Sequence, residues 1–495
     1  MGRRFKNRHS LMCIQILAVS SILSLLYYFT TTREDDDPPP GLEVFESEIR
    51  CVGNYQNYSV TKYKDKFGQL KEWEMMSNKP VESIERIVSA FAVVRVHNAS
   101  GTYFLFNRQF RITTRSWTVE YPGGFVERKE TARDTILREI SEETGYKNCN
   151  LTFVGPSNGR LTASPEKAND MQKVGVVDCW ADNFKGDEAD DEELVKRLLI
   201  KDTELWDTFQ ELGEDYAIVG GLYSFALGYA LRNGQCFTSN GDFRSQSFIH
   251  SIYSVSNNRL FILDYQFKIM IAIFSILSLF FIAVNSHELG PGLEILDSKV
   301  KCPGKFVNFT VTRFKTKSGK IGVWELLSNK ADNPDKVVSA FALVRVHNAS
   351  GTYFLFNRQF RIPTRSWTIE FPGGHVERGE TARDAILREL REETGYYNCN
   401  ISFVSIGRLS ASPAKSNDMQ KMGIVDCNAN DFAETKQDDE ELIHRLLIKD
   451  TELWPTFQKL SEKYDIVSSL YSFALGYALK DGLAVAQKSE PSSKT

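Results

Sequence analysis

The sequence has little cysteine, no excess of positive charge and few long apolar runs. Only eight of its 495 residues are cysteines, and no two have C-x-x-C spacing, which excludes a zinc site of that kind. Lysine and arginine number 60 against 64 aspartates and glutamates, so nothing indicates a nucleic-acid-binding surface. An anionic small molecule would therefore have to be held by local arginines and a metal ion. The 42% hydrophobic and 25% charged content is that of an ordinary globular protein.

Two apolar runs stand out. Residues 11–29 are long enough to span a bilayer, with basic residues before them and acidic residues after them. They predict a transmembrane signal-anchor, a cytoplasmic tail at 1–10, a stalk at 30–40, and a lumenal or extracellular unit beyond. The second run, residues 269–284, is at the lower limit for a span. It is a second transmembrane segment, a cleaved signal-like sequence or the mark of a fusion of two genes. If it crosses the membrane, the second half of the chain faces the cytoplasm.

The chain is an internal duplication, since residues 94–112 are identical to residues 344–362. The copies, here called unit one and unit two, run from 41 to 235 and from 292 to 485. The remaining segments are a linker and a tail, at residues 236–268 and 486–495.

Alternating strand and helix patterns predict an α/β fold for each unit. The sequence SAFAVVRVHNASGTYFLFNRQFR is typical of two strands with a tight turn, and VGVVDCWA of a later buried strand. Both DDEELVKRLLI and the aromatic-rich segment that ends in SFALGYAL are predicted as helices. Trp206, Phe209, Tyr223 and Phe225 are predicted as core residues rather than ligand-binding ones. Strands interleaved with helices indicate a layered sandwich.

Cysteines and N-x-S/T sequons recur at equivalent places in the two units. Each unit has three cysteines, which allows one disulfide and one free thiol, and spacing does not assign the pairing. The cysteines are Cys51, Cys149, Cys179, Cys302, Cys399 and Cys427, with Cys236 left over. The sequons are at Asn57, Asn98, Asn150, Asn308, Asn348 and Asn400. Their recurrence favours a glycoprotein in the lumen or outside the cell.

A third recurring stretch contains most of the chemistry. It reads GFVERKETARDTILREISEETGY at 124–146 and GHVERGETARDAILRELREETGY at 374–396. From Thr131 the periodicity predicts a helix, here called the box helix, which Gly145 ends. Glu139, Glu142 and Glu143 have i, i+3, i+4 spacing, so their carboxylates share one face. They repel each other unless a cation or a basic partner lies between them. Oxygen ligands of this kind suit Mg²⁺ or Mn²⁺.

The full pattern of Gly, Glu, Arg-Glu, Glu-Glu and Gly resembles the signature of the Nudix hydrolases in both copies. The resemblance implies two Nudix-type α/β/α sandwich domains that hydrolyse a diphosphate linked to a nucleoside. It also implies that the helix glutamates, and the carbonyl group before the first box glycine, bind the metal. Those positions are Gly123, Glu139, Glu142, Glu143, Gly373, Glu389, Glu392 and Glu393. Arg138 and Arg388 are predicted to pair with Glu130 and Glu380, in a structural role.

The sequence before the box resembles one Nudix subfamily, the ADP-ribose (ADP-sugar) pyrophosphatases. FNRQFR leads into WTVEYPGG in unit one and into WTIEFPGG in unit two. That resemblance implies that an arginine and a glutamate here bind substrate, and that a tryptophan nearer the start of the unit stacks on adenine. A core tryptophan explains the last position equally well. The substrate-binding candidates are Arg111, Arg361, Glu120, Glu370, Trp73 and Trp324. Arg108 and Arg358 are weaker candidates, because strand alternation puts them on the opposite face.

A general base is expected on a loop beyond LTASPEKAND. The subfamily has a Ser-Pro-Gly loop at this sequence, but Glu166 or Ala414 replaces its glycine. Acidic runs farther on contain Glu192 and Glu440, which are candidates for activating the attacking water. The acidic first turn of a helix explains those runs at least as well.

The sequence therefore predicts a membrane-anchored Nudix hydrolase with tandem domains. It would cleave ADP-ribose or a related nucleoside diphosphate sugar to a nucleoside monophosphate and a sugar phosphate, using Mg²⁺ or Mn²⁺. The alternatives are other nucleotide-cofactor or dinucleotide diphosphates as substrates, and a nucleotide-binding ectodomain without activity. The expected partners are a nucleoside diphosphate-linked small molecule and the membrane, but no nucleic acid. Because the subfamily commonly dimerises, we expect a homodimer or an internal pseudo-dimer of the two units.

Overall fold

The computed structural model describes residues 38–39, 41–78, 87–157, 159–186, 195–232, 293–330, 333, 335–434 and 443–480. The predicted cytoplasmic tail, signal-anchor, linker, second apolar segment and C-terminal tail lie outside these residues, as does Cys236. No helix in the described ranges is both long and apolar enough to cross a membrane.

Both units have the same order of elements. The strands of unit one are β1 Glu43–Val52, β2 Gln56–Lys64, β3 Leu70–Asn78, β4 Ile87–Asn98, β5 Gly101–Arg111, β6 Ser116–Glu120, β7 Gly123–Phe125, β8 Asn150–Gly155, β9 Leu161–Thr162, β10 Met171–Trp180, β11 Val195–Lys201 and β12 Ala217–Val219. Its helices are α1 Ala132–Thr144, α2 Leu205–Asp215 and α3 Gly220–Arg232. The strands of unit two are β13 Glu294–Pro303, β14 Val307–Lys315, β15 Ile321–Asn329, β16 Val337–Asn348, β17 Gly351–Arg361, β18 Ser366–Glu370, β19 Gly373–His375, β20 Asn400–Val404, β21 Leu409–Ser410, β22 Met419–Asn428, β23 Ile443–Lys449 and β24 Asp465–Val467. Its helices are α4 Ala382–Thr394, α5 Leu453–Leu460 and α6 Ser468–Lys480.

The centre of each unit is a mixed sheet with helices on both faces. In unit one, β4 pairs with β10 in parallel and with β5 and β7 antiparallel. Successive residues of β4 face opposite sides, as the pleat of a strand requires. Ala92 and Val94 belong to the hydrophobic cluster that contains Ile136 of α1, whereas Val93 belongs to the cluster that contains Phe209 of α2. The predicted α/β fold is confirmed. The predicted core residues Trp206, Phe209, Tyr223 and Phe225 are all buried.

One predicted helix is a strand. Val195–Lys201, from the segment DDEELVKRLLI, forms β11 and pairs antiparallel with β5 from Val195↔Gln109 to Lys201↔Tyr103. The local pattern of the segment suits a helix, but β5 offers it a row of backbone hydrogen-bonding partners. Such tertiary pairing outweighs local preference.

The two units share one core. β12 pairs with β21, and β9 pairs with β24, so the mixed sheets of the two units are hydrogen-bonded to each other. One cluster of buried hydrophobic residues contains members of both units, among them Phe225 of α3 and Phe473 of α6. Where these helices cross, a Cβ added to Gly228 would lie 2.2 Å from the carbonyl oxygen of Phe473. The glycine therefore permits the close approach of α3 and α6. The two units thus pair within one chain, whereas a homodimer of whole chains stays a prediction.

The two N-terminal three-stranded sheets, β1–β2–β3 and β13–β14–β15, also contact each other. The Glu74 carboxylate accepts hydrogen bonds from the backbone amides of Phe306 and Val307, at 2.9 and 3.1 Å. In return, the Glu325 carboxylate accepts them from Tyr55 and Gln56, at 2.9 and 3.1 Å. Each unit therefore binds a hairpin turn of the other through a carboxylate.

Three disulfides link the six cysteines of the two units. Cys149–Cys179 and Cys399–Cys427 lie within the units, whereas Cys51–Cys302 joins β1 to β13. The sequence alone allowed one free thiol in each unit. In the structure the third cysteine of each unit is bonded to that of the other unit. Pairing between units was not visible because it depends on how they pack.

Replacing Gly228 with alanine should destabilise the packing of α3 against α6. The added methyl group would press on the Phe473 carbonyl, a backbone atom that cannot rotate away, and such overpacking costs about 1–3 kcal/mol. The midpoint of thermal unfolding measures the effect. Gly221→Ala in the same helix is the matched control, because its nearest atoms are 3.6 Å or more away and alanine favours helix. Equal midpoints for the two variants would contradict this packing.

Candidate active site

The box helix has the bounds that the sequence predicts. It is α1, Ala132–Thr144, and Thr131 caps it, since its hydroxyl accepts a hydrogen bond from the Asp134 amide at 3.2 Å. Gly145 ends it with a φ of 70°, in the left-handed region that glycine favours. Gly124, just before the helix, allows the Glu139 carboxylate to lie against the backbone, because a Cβ there would lie 2.0 Å from Oε1. These local features give the box helix the same geometry in both units.

A basic partner lies between two of the three carboxylates, and it is Arg138. One terminal nitrogen of its guanidinium donates to Glu139 at 2.8 Å and to Glu142 at 3.0 Å. Its Nε donates to Glu130 at 2.8 Å, which confirms the predicted pair and lowers the pKa of Glu130 to about 2. The repulsion expected between neighbouring glutamates is thus offset by one arginine. The same contacts recur in unit two between Arg388 and the residues Glu380, Glu389 and Glu392.

Glu143, the third carboxylate, has a different environment. Its Oε2 accepts hydrogen bonds from Asn107 Nδ2 at 2.8 Å and from the Gly123 amide at 2.9 Å. Burial raises the pKa of Glu143 to about 8, and repulsion from Glu139 adds to the shift. In unit two, Glu393 makes the equivalent contacts with Asn357 and Gly373, at 3.0 and 2.9 Å.

Asn107 was not identified from the sequence, although a signal for it exists. Asn107, Gln109 and Arg111 alternate along β5, so they share one face of the strand. The alternation that separates Arg108 from Arg111 therefore also assigns Asn107 to the face of the site. Arg108 points elsewhere, since it donates to the hydroxyl of Tyr216 at 2.7 Å.

The predicted metal ligands are carboxylate and carbonyl oxygens, the donors that Mg²⁺ prefers. Among the described residues, no group of three His, Cys, Asp or Glu side chains is arranged to hold a metal ion. Arg138 engages Glu139 and Glu142 on one side. The donors fit a hard cation in chemical type, and a cation would relieve the cost of charging Glu143 in its partly buried position. Arg138 would then share two carboxylates with it.

The predicted substrate-binding residues Arg111 and Glu120 contact each other. Arg111 donates through Nε and a terminal nitrogen to the two carboxylate oxygens of Glu120, at 2.6 Å each. Both residues line the same cavity as Glu139 and Glu143. Arg361 and Glu370 form the equivalent pair in unit two, at 2.7 and 2.6 Å. The pairing of the two residues was not predicted from the sequence, and their roles toward substrate stay predictions.

The two predicted adenine-stacking tryptophans also line the cavity. Trp73 Nε1 donates to the Glu166 carbonyl at 2.8 Å, and Trp324 Nε1 to the Ala414 carbonyl at 2.9 Å. Each indole therefore anchors the loop of its own unit in which the Ser-Pro-Gly glycine is replaced. Glu192 and Glu440, the predicted general bases, lie outside the described residues.

One continuous cavity of about 1370 Å³ is lined by residues of both box helices and by both tryptophans. Its walls come from both units, and the loop of unit two that contains Pro413 borders the site of unit one. The hydroxyl of Thr113, two residues after Arg111, donates to the Pro413 carbonyl. Lys415 Nζ lies 6.0 Å from the centre of the Phe125 ring in the unit-one box. Each candidate site is therefore bordered by both halves of the chain.

Two ion pairs cross between the units at this cavity. Lys415 pairs with Asp170, and Lys167 pairs with Asp418. Burial works against the charge of Lys167, but the carboxylate of Asp418 outweighs it and raises the pKa. Sequence reasoning missed these pairs, although both copies retain the lysine and the aspartate, in SPEKAND and SPAKSND.

The comparison with family models identifies the domains. The NUDIX domain model matches residues 86–221 and 336–468, which together make up more than half of the chain. The chain belongs to the Nudix family. Its curated relatives include a Caenorhabditis elegans protein named as a nudix hydrolase, 28% identical over 37% of this chain and 84% of the relative. The mouse ADP-sugar pyrophosphatase is 29% identical over 40% of this chain and 92% of its own length. A solved structure titled as an ADP compounds hydrolase is 18% identical, covers 39% of this chain and 97% of that one, and has a TM-score of 0.29.

Removing one member of a crossed ion pair should destabilise this Nudix tandem. Lys167→Met leaves Asp418 buried without its cation, and breaking a buried pair costs about 3–5 kcal/mol. Thermal unfolding measures the loss. Adding Asp418→Leu to Lys167→Met should recover much of it, since apolar replacement of both partners is often neutral.

Lys317→Met, at an exposed position of unit two, is the matched control and should leave the midpoint unchanged. A Lys167→Met protein as stable as this control would show that the crossed pair contributes nothing.

Proposed function

We propose that each Nudix unit hydrolyses the diphosphate bond of ADP-ribose or a related nucleoside diphosphate sugar, with a divalent metal ion. The observation behind this proposal is that Arg111, in a bidentate pair with Glu120, lines the same cavity as Glu139 and Glu143. A guanidinium matches phosphate geometry, and carboxylates beside it suit the metal ion that accompanies a diphosphate. The substrate class is supported by the mouse relative, whose name is ADP-sugar pyrophosphatase.

The residues of unit one would divide the work as follows. Arg111 binds the diphosphate, and Glu120 holds the guanidinium in place. Asn107 and the Gly123 amide hold Glu143 in position. Glu139, Glu142, Glu143 and the Gly123 carbonyl would hold the metal ion. When bound, such an ion neutralises phosphate charge and lowers the pKa of a water molecule.

A second candidate function is nucleotide binding without turnover. It is supported by the contacts of Arg138 with Glu139 and Glu142, which give both carboxylates a partner without any metal ion. In that case the cavity would bind the same ligands, and the carboxylates would be structural.

Activity assays on variants of the full chain separate these functions. Glu143→Gln and Glu393→Gln each disable one unit, so each should leave about half of the Mg²⁺-dependent release of AMP from ADP-ribose, since effects at separate sites add. The double variant should lose at least about 100-fold, the range for removing a group that acts on the reacting atoms. Glu211→Gln, at an exposed glutamate of α2, is the matched control and should have full activity. Ligand binding without turnover in the unchanged chain would favour the second function and reject the first.

Metal binding by unit one should depend on pH through Glu143. Its pKa of about 8 means that below this pH a metal ion must displace a proton, so affinity for Mg²⁺ should rise from pH 6.5 to 8 and then level off. Calorimetric titration of the Glu393→Gln variant isolates unit one and detects proton release through buffers of different ionisation enthalpy. Adding Glu143→Gln should remove both the proton release and the pH dependence. Affinity that is equal at pH 6.5 and 8 would contradict the assignment of Glu143 as a ligand.

A further inference from the structure

The way in which the two units are joined restricts where they can lie in the cell. Cys51 of unit one forms a disulfide with Cys302 of unit two. Disulfides form and persist in oxidising compartments, such as the secretory lumen and the cell exterior. Because this bond joins the units directly, both must reach the same oxidising compartment.

The non-covalent contacts lead to the same conclusion. Strand β12 pairs with β21 and β9 with β24, and α3 packs along α6 in a shared hydrophobic cluster. A bilayer with about 30 Å of hydrocarbon cannot separate elements that are hydrogen-bonded to each other. The two units therefore lie on the same side of any membrane.

Four of the six sequons have an exposed asparagine. They are Asn98, Asn150, Asn348 and Asn400. Asn98 and Asn348 occupy equivalent hairpin turns, between β4 and β5 and between β16 and β17. At the first turn, Asn98 Oδ1 accepts hydrogen bonds from the amide and hydroxyl of Ser100, at 2.8 and 2.7 Å. Asn150 and Asn400 begin the equivalent strands β8 and β20. Each pair projects into solvent from the same place in both units.

The other two sequons lie inside central strands. Asn57 is only 3% exposed and lies in β2 between Val52 of β1 and Ser77 of β3. Asn308 is half-buried in the equivalent strand β14, between Pro303 of β13 and Ser328 of β15, and its Oδ1 accepts a hydrogen bond from Lys330 at 3.1 Å. A sugar chain on Asn57 would have to displace a neighbouring strand. The fold therefore divides six similar sequence motifs into two classes.

We propose that the folded chain carries N-linked glycans on Asn98, Asn150, Asn348 and Asn400 and none on Asn57 or Asn308. The donor is an oligosaccharide attached to a lipid diphosphate. The asparagine amide nitrogen forms a bond to the anomeric carbon and loses a proton, while the bond from that carbon to the diphosphate oxygen breaks and the lipid diphosphate leaves. Both units are thus modified in one lumen, whatever the substrate of their Nudix sites.

Glycan mapping of the full chain from a secretory eukaryotic host tests the proposal. Enzymatic release of N-glycans converts each occupied asparagine to aspartate, which peptide mass spectrometry detects. We expect conversion at the four exposed positions, two in each unit, and at neither Asn57 nor Asn308. Conversion in one unit alone, at no site, or at Asn57 or Asn308 would overturn the proposal.

Variants give an independent measurement by gel mobility. Asn→Gln at all four exposed sites should abolish the mobility shift on glycan release. The matched control, Asn57→Gln with Asn308→Gln, should leave the shift at its full size. A shift that disappears with the control pair would contradict the division of the sequons. Because the mapping uses the unchanged chain, a folding defect in a variant does not affect it.

Discussion

The packing of unit one against unit two is the constraint on which the rest of the structure depends. Helices α3 and α6 approach closely at Gly228, and short strands of each unit extend the sheet of the other. This arrangement determines which loops reach the cavity, because the loops before β10 and β22 extend across the boundary with their lysines. It also brings Cys51 and Cys302 together. A single unit has the box helix and the arginine strand, but not the complete wall of its own site.

Within each unit, the corresponding constraint is the guanidinium of Arg138. Three like charges on one helix face are unfavourable in isolation. Arg138 offsets two of them, while Glu143 is held by neutral donors from β5 and from the first residue of β7. The carboxylates are therefore not equivalent: two are paired with Arg138, and burial disfavours the charge of the third. A metal ion would stabilise the charge of Glu143 most strongly, because the groups that hold this carboxylate are neutral.

The sequence predicted what is local and repeated. The box helix from Thr131, its end at Gly145 and the pair of Arg138 with Glu130 all depend on residues a few positions apart. The sequence failed where partners are distant. The segment that forms β11 looked helical because its partner strand lies about ninety residues earlier, as the pairing of Val195 with Gln109 illustrates.

Contacts between the two units could not be predicted from the sequence either, although the residues of the crossed ion pairs gave one possible signal. The lysines and aspartates of the crossed ion pairs are present in both copies. They lie in the loop that resembles the Ser-Pro-Gly loop of the subfamily, and that resemblance assigns them no role. The disulfide pairing offered no comparable signal, since three cysteines per unit are compatible with several arrangements. Asn107 could be predicted from strand alternation alone, because it lies on the same face of β5 as Arg111.

Because the two units pair within one chain, their two sites need not be identical. In a symmetric homodimer every interface contact occurs twice, so a substitution on one side is necessarily made on the other. Here Arg160 forms a bidentate pair with Asp465 at 2.9 and 3.1 Å, whereas the unit-one equivalent of Asp465 is Ala217. Arg408, the equivalent of Arg160, instead pairs with Asp335 in its own unit. The ion pair therefore exists once, on one side of the interface.

The boxes differ in the same manner, with an aromatic ring at 125 and an imidazole at 375 facing the shared cavity. Two sites that share one cavity and are built from both units can thus diverge in substrate preference without losing the packing that completes them.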